Sequence, residues 1–331
     1  DKAPVIAATP ANKSTKIDIQ QLDGPFGTAI VTASVDKKSV SYSLSFNYGP
    51  QGDYFADGDM SDNWTILHEV KDPTEDRPYT YYRFEEGTGL VLPTQKGSIY
   101  MAKQADPQGP WTNMFTMPAQ GNWEVVIKSF YPQLPKDIYQ QTQVFAWQDE
   151  DHYIRINCQY NAQHNLRVEP ANEVGSGTFN ILEVTYADPN PDNTATLYYK
   201  INKNGTTYTV SYSTDCKTWV AGGSVSGLDY VDPKIGIFCT QDDGNDNYIE
   251  LAYEYVAVTS LNGVEQKNGI EVLNWAAQNV ADYITKGLPT ETAEKLTYKA
   301  PHGYEVEFVS SNTNVIAADG TVTPAAADTK V

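Results

Sequence analysis

The stretch Gln141–Tyr160, QTQVFAWQDEDHYIRINCQY, decides the reading of the chain. It divides into two runs, Gln141–Trp147 and Tyr153–Tyr160, around the acidic turn Asp149-Glu150-Asp151. In the second run Ile154, Ile156 and Cys158 alternate with Tyr153, Arg155, Asn157 and Gln159. Side chains of a strand point to opposite faces with a period of two, so the spacing predicts a hairpin with one buried face and one polar, reachable face. On the first run Gln143, Phe145 and Trp147 share a face, and Asn165 and Arg167 could extend the polar set. A flat aromatic beside Arg, Asn and Gln suits a sugar, whose C–H faces stack on rings and whose hydroxyls meet planar polar groups. The same set also finishes an ordinary sheet, with Phe145 and Trp147 in the core and the polar residues facing water.

Working outward, strands are expected at short spacing from Tyr79 to Thr259, among them Asn165–Glu169 and Phe179–Ala187, with Gly, Pro, Asn and Asp in nearly every gap. Lys203-Asn204-Gly205 carries the Asn-Gly pair that favours a tight hairpin. The segment KIGIFCTQDDGNDNYIELAYEY, residues 234–255, repeats the plan of the opening stretch: apolar strand, acidic turn, alternating strand. Many short strands without a convincing helix predict an all-β antiparallel sandwich over 53–260. Residues 1–52 hold three further strands, including Ser39–Tyr48 with Val40, Tyr42, Leu44 and Phe46 on one face. They are either part of a small β-domain or strands that complete the sandwich. Over 261–331 the pattern changes. Ile270, Leu273, Ala276 or Ala277, Val280, Tyr283 and Ile284 have helical spacing over Asn268–Thr285, and strands follow with Asp319-Gly320 as a turn.

Composition narrows the functions. The net charge is −19 with four arginines, which argues against nucleic acid and polyanionic partners and leaves neutral ligands and cations. The 23 tyrosines fit a β-rich chain. The three cysteines make no metal-type spacing; Cys158 and Cys239 read as small buried hydrophobes, and one disulfide stays open. No apolar run is long enough for a transmembrane helix. The composition fits a secreted or cell-surface bacterial protein, and the chain reads as a mature or excised piece.

Two stretches resemble known families. Residues 53–260 resemble a concanavalin A-like lectin/glucanase sandwich (a jelly roll), of the type found at the C-terminus of family 43 glycoside hydrolases, the xylosidases and arabinanases. The residues that carry this are Ser61-Asp62-Asn63-Trp64-Thr65, Asn122-Trp123-Glu124-Val125, VFAWQDEDHYIRI, TYTVSYSTDCKTW and KIGIFCTQDD. At Cys216 that family usually has glycine. The tail resembles a partial, atrophied bacterial Ig-like domain through Val309-Ser310-Ser311-Asn312, Val315-Ile316 and Asp319-Gly320-Thr321-Val322. These resemblances imply a non-catalytic carbohydrate-binding module of a secreted multimodular glycoside hydrolase. Its partners would be a neutral plant polysaccharide of xylan or arabinan type and the catalytic domain of the same polypeptide. A purely structural module, or a sandwich enzyme with an unfamiliar site, are the alternatives.

The expected sugar-contacting residues are Gln143, Phe145, Trp147, Tyr153, Arg155 and Asn157, with Trp111 from a loop; Trp64, Trp123 and Trp219 read as core. Sandwiches of this type often hold one structural calcium. Two acidic segments offer oxygens: Asp57, Asp59 and Asp62, and Asp242, Asp243, Asn245 and Asp246. Solvated acidic turns are the plainer reading of both. No Glu-x-Asp-x-x-Glu run supplies a glycosidase carboxylate pair, no G-x-S-x-G appears, and no catalytic residue is assigned.

Overall fold

A computed structural model of the chain describes residues 5–22, 27–46, 49–75, 78–99, 111–163, 166–175, 179–182, 185–186, 194–241 and 247–266. It also describes 281, 284–285, 288, 294–296 and 309–324. Strands β1 (Lys16–Gln20), β2 (Gly27–Val35) and β3 (Lys38–Phe46) form an antiparallel sheet whose ladders, among the described residues, run only within itself. Among the described residues eighteen more follow: β4 (Asp53–Tyr54), β5 (Thr65–Leu67), β6 (Arg83–Glu85), β7 (Gly89–Pro93), β8 (Gln95–Lys96), β9 (Met114–Pro118), β10 (Trp123–Tyr131), β11 (Gln140–Asp149) and β12 (His152–Tyr160). Then come β13 (Leu166–Val174), β14 (Phe179–Ile181), β15 (Thr185–Tyr186), β16 (Ala195–Asn204), β17 (Thr207–Ser213), β18 (Val220–Val225), β19 (Lys234–Gln241), β20 (Glu250–Leu261) and β21 (Val264–Glu265).

These eighteen make two nine-stranded sheets. The first runs β18-β17-β16-β10-β20-β7-β6, with β4 and β21 also on β20. The second runs β14-β13-β12-β11-β19-β9-β5, with β15 on β13 and β8 parallel to β19. The sheets pack face to face as an antiparallel sandwich, as the strand spacing predicts. Period two accounts for the core. Val125 and Ile127 of β10, Leu251 and Tyr253 of β20, Val144 and Ala146 of β11, and Ile154, Ile156 and Cys158 of β12 meet in one buried cluster. A trio of buried hydroxyls crosses it: Tyr131 and Tyr199 from the first sheet, 2.6 Å apart, and Thr142 from the second, which is bonded to Tyr131.

Three expectations change. Residues 234–255 are not a second hairpin: β19 lies in the second sheet and β20 in the first. The single strand expected over Phe179–Ala187 is two short ones, β14 and β15, each paired with β13. And β13 continues through Pro170, where the sequence suggests a stop at Glu169. Pro170 falls between the β15 partners Arg167 and Val168 and the β14 partners Ala171–Glu173, so its missing N–H interrupts no ladder there. Strands β9 and β18, unmarked in the sequence reading, pair with β19 and β17.

Of the segment expected to be helical, only Ala281 and Ile284–Thr285 have described structure, and these are helical. In the tail Asp319-Gly320 is a turn, with Gly320 at φ 83° and its N–H donating to the Ala317 carbonyl at 2.9 Å. Isolated bridges link Lys295 with Thr321 and Ile316 with Val322.

Candidate functional site

The hairpin β11–β12 has the register its alternation predicts: Gln143 faces Asn157, Phe145 faces Arg155 and Trp147 faces Tyr153. These residues lie on the face of the second sheet that points away from the sandwich core. Neighbouring strands add Arg167, Glu169 and Glu173 from β13, and Phe238 and Thr240 from β19. All seven expected sugar-contacting residues have described side chains. Gln143, Phe145, Trp147, Tyr153, Arg155 and Asn157 share the face, and Trp111 packs onto its aromatic end.

The face is not open, which corrects the expectation of a reachable surface. Trp147 is 2% exposed, Gln143 1% and Arg155 4%. A period-two pattern says which side chains share a face, not what covers it. Here Ile99 and Trp111, from the chain between β8 and β9, join Met114, Phe145, Trp147, Tyr153 and Phe238 in a second hydrophobic cluster. Trp147 stacks on Tyr153 with centroids 5.8 Å apart, and Trp111 meets Trp147 edge-on at 6.1 Å. His68 lies against Trp111 at 4.0 Å, and its Nδ1 is 3.0 Å from the Trp111 carbonyl oxygen. Gly236 makes room for this layer: a Cβ there would sit 3.3 Å from Cβ of Phe145.

The other half of the face is polar. The Arg155 guanidinium donates to Glu169 Oε1 at 3.1 Å, and Arg167 donates to the second oxygen of Glu169. Asn157 Nδ2 donates to Gln141 Oε1 at 2.7 Å, and the Tyr153 hydroxyl donates to Glu173 at 2.9 Å. Two arginines therefore stand among two carboxylates, a balanced field that favours no net charge in a ligand. Gln143 is different. Neither its Oε1 nor its Nε2 has a hydrogen-bond partner, and Asn157 Oδ1 directly across the ladder and Gln95 Nε2 have none either. Gln95 pairs with Thr240, which pairs with Gln141, so these amides span adjacent strands of one sheet. Buried amides are nearly always bonded, because an unpaired one costs roughly 1–3 kcal/mol.

The acidic turn holds no pair of catalytic carboxylates. Asp149 accepts from the Asp151 N–H at 2.9 Å and lies 2.7 Å from His152 Nδ1. Burial would raise the Asp149 carboxyl, but bonds from Gln148, His152 and Asp151 hold it below the usual range. Burial pushes the Cys158 and Cys239 thiols up to about 12, so both are inert, and all three cysteines are free. Cys216, where the resembled family has glycine, sits at φ 58° in a hairpin turn held by Asp215. Trp64 and Trp123 are buried, in line with a core role, and Trp219 is half-buried beneath the Lys200 ammonium, 3.9 Å from its ring.

The calcium expectation rests largely on residues that the structure does not describe. Asp59 and Asp62 are exposed; the Asp57 side chain, and Asp242, Asp243, Asn245 and Asp246, lie outside the described residues. Among the described residues no three His, Cys, Asp or Glu side chains are grouped to hold a metal.

Gln95, Gln141, Glu169, Glu173, Phe238 and Thr240 were missed from the sequence. Glu169 and Glu173 had a signal: Arg167, Glu169, Ala171 and Glu173 alternate on one face once the strand runs through Pro170.

No protein-family model and no curated protein matches the chain. Solved structures do. The GH43B protein of a xyloglucan PUL from Bacteroides ovatus has a TM-score of 0.50 at 13% identity, over 75% of this chain and 51% of that one. A GH43 protein from Bacillus licheniformis, BlXynB, gives 0.49 at 12% identity, over 76% of this chain and 55% of that one. The carbohydrate binding module CBM66 from Bacillus subtilis gives 0.34 at 12%, over 60% of this chain and 96% of that one. At 13% identity the likeness to the Bacteroides ovatus protein shows the fold alone. This chain spans about half the length of the two GH43 proteins.

Proposed function

We propose that the chain is a non-catalytic, glycan-binding sandwich module of a secreted bacterial glycoside hydrolase that acts on plant polysaccharide of xylan or arabinan type. The ligand is a neutral sugar that would take up the unpaired amides in the polar half of the β11–β12–β13 face, which is closed in the structure described above. The observation that carries this is the Gln143 amide, buried with both polar atoms unpartnered beside Asn157 Oδ1. A sugar hydroxyl donates and accepts at once, so it can satisfy the carbonyl of one amide and the N–H of another. Linkage to a catalytic domain in the same polypeptide would make weak single-site binding useful by raising effective concentration.

The closed aromatic layer over Trp147 favours a second reading, a structural module that packs on a catalytic domain and binds nothing alone. Affinity electrophoresis of the chain through xylan, arabinan and β-glucan gels separates the two. Gln143→Leu keeps the side-chain bulk and removes the unpaired amide. It is expected to abolish retardation while raising folding stability by about 1 kcal/mol. No retardation of the unaltered chain in any gel gives the structural reading, and retardation that survives Gln143→Leu unchanged removes the proposed site.

A further inference from the structure

The edge of a sheet offers a row of unpaired N–H and C=O groups, and folded chains blunt such edges. Among the described residues the sandwich does so at the ends of both its sheets. β5 and β6 have three residues each, and β14 and β15 have three and two. β6 also carries Arg83 and Glu85. β18 has six residues, but Gly222 is an extra one between the partners of Val210 and Ser211, and Gly223 adopts φ 109°. In the three-stranded sheet the edge strand β1 is five residues long, with Lys16 and Asp18 exposed. The other edge, β3, has none of these devices. It runs for nine residues in unbroken register with β2, and among the described residues β2 is its only partner. Between Ser39 and Ser45 it has no proline, no glycine and no charge. Every residue from Lys38 to Leu44 is exposed, on both faces, with Val40, Tyr42 and Leu44 at 56%, 60% and 41%.

We propose that β3 pairs with β3 of a second copy of this chain, joining two three-stranded sheets into one of six strands. The strand is complementary to itself. An antiparallel pair with Tyr42 opposite its own counterpart uses all nine residues: Ser41 meets Ser43, Val40 meets Leu44, Ser39 meets Ser45 and Lys38 meets Phe46. Residues directly opposite share a face, so Val40, Tyr42 and Leu44 of both copies form one apolar strip and the serines lie on the other face. Like charges are nowhere opposed. The Tyr42 pair and the pairing of β-branched Val40 with Leu44 are of the kind that stabilises neighbouring strands. An acidic or basic peptide, by contrast, finds no charge to meet between Ser39 and Ser45. Each copy has one such edge, and β1 is short and charged, so the pairing closes as a two-fold dimer instead of growing into a fibre. The contact is one strand long, about 30 Å. A contact this small holds weakly, with an expected dissociation constant of roughly 10–100 μM.

Sedimentation equilibrium of the full chain, taken up to about 1 mM, is expected to show monomer and dimer in exchange. A monomer at every concentration overturns the proposal. Tyr42→Lys sets two ammonium groups opposite each other and is expected to weaken the dimer by about tenfold or more. The same change removes one unit of the net negative charge, so long-range repulsion by itself would tighten association. A dimer that Tyr42→Lys leaves unchanged or tightens overturns the proposal. Val231→Lys, on a loop residue that is 72% exposed, alters the net charge equally and is expected to leave the dimer intact; an equal loss from both variants overturns the proposal. Tyr42→Cys in a Cys216→Ser background reads the contact directly. Opposed Cα atoms lie about 4.5–5.5 Å apart, within disulfide reach. Mild oxidation with copper phenanthroline is therefore expected to give a covalent dimer about tenfold faster or more than Val231→Cys in the same background. Equal rates overturn the proposal.

Discussion

Residues 141–160 and 234–255 read alike and fold differently. Each has an apolar strand, a Gln-Asp turn and an alternating strand. In the first, two residues, Glu150 and Asp151, separate β11 from β12, and the strands pair as a hairpin in one sheet. In the second, eight residues separate β19 from β20, and the strands lie in opposite sheets. A two-residue connection brings the chain back one strand spacing away, about 4.8 Å, and joins antiparallel neighbours only. Eight residues can cross the roughly 10 Å between packed sheets. The alternation is the same in both because both strands bury one face in the same core. Loop length, not strand pattern, separates them.

Replacing residues 242–249 with Asn-Gly tests this most severely. The short turn would hold β20 against β19 in one sheet and remove it from between β10 and β7. Loss of the folded state is expected, read as absence of a near-ultraviolet circular dichroism signal. Glu150→Asn with Asp151→Gly, a swap of equal length in the hairpin, is expected to keep the fold. If both changes are tolerated, the comparison fails.

Next in size is Trp147→Ala, just before the hairpin turn. Its ring is sealed among Trp111, Phe145 and Tyr153, so the loss should be about 3–5 kcal/mol by urea unfolding. A loss below about 1 kcal/mol would mean that the aromatic layer opens in solution and that Trp147 is reachable after all.

Smaller again is the turn itself. Asp149→Ala removes the acceptor for Asp151 N–H and His152 and should cost about 1 kcal/mol. Because the Asp149 carboxyl is held below its usual range, that contribution is present above the unfolded value of about 3.9 and lost as pH falls through the folded one. Melting midpoints of the two proteins should therefore converge in acid; a gap that persists to the lowest pH at which both fold would rule out this ionic part.

The smallest effect belongs to a third turn, Ser213–Val220. Cys216 there adopts φ 58°, a left-handed conformation that costs a non-glycine residue roughly 1 kcal/mol. Cys216→Gly is expected to raise stability by up to about 1 kcal/mol in the same urea assay, and a decrease would show that the half-buried thiol contributes more than the strain removes.

Much of the fold was legible because period two is a local property. The core members of β10, β11, β12 and β20 could be read from alternation alone. So could the grouping of Gln143 with Phe145 and Trp147. Strand β13 was read only as far as Glu169, and its run through Pro170 depends on where β14 and β15 happen to pair. The site was half legible. Residues of β11 and β12 were identified, while Glu169, Glu173, Gln95 and Thr240 reach the same face from strands distant in sequence.

By itself the sequence determined which side chains share a face, where the short turns fall, and, through its many short alternating strands, that the chain builds an all-β sandwich. Only the tertiary structure decided which sheet each strand joins and that Trp147 is covered. It alone showed that the Gln143 amide is left without a partner. Alternation is written in neighbouring residues, whereas covering a face or crossing between sheets depends on segments that meet only when the chain folds.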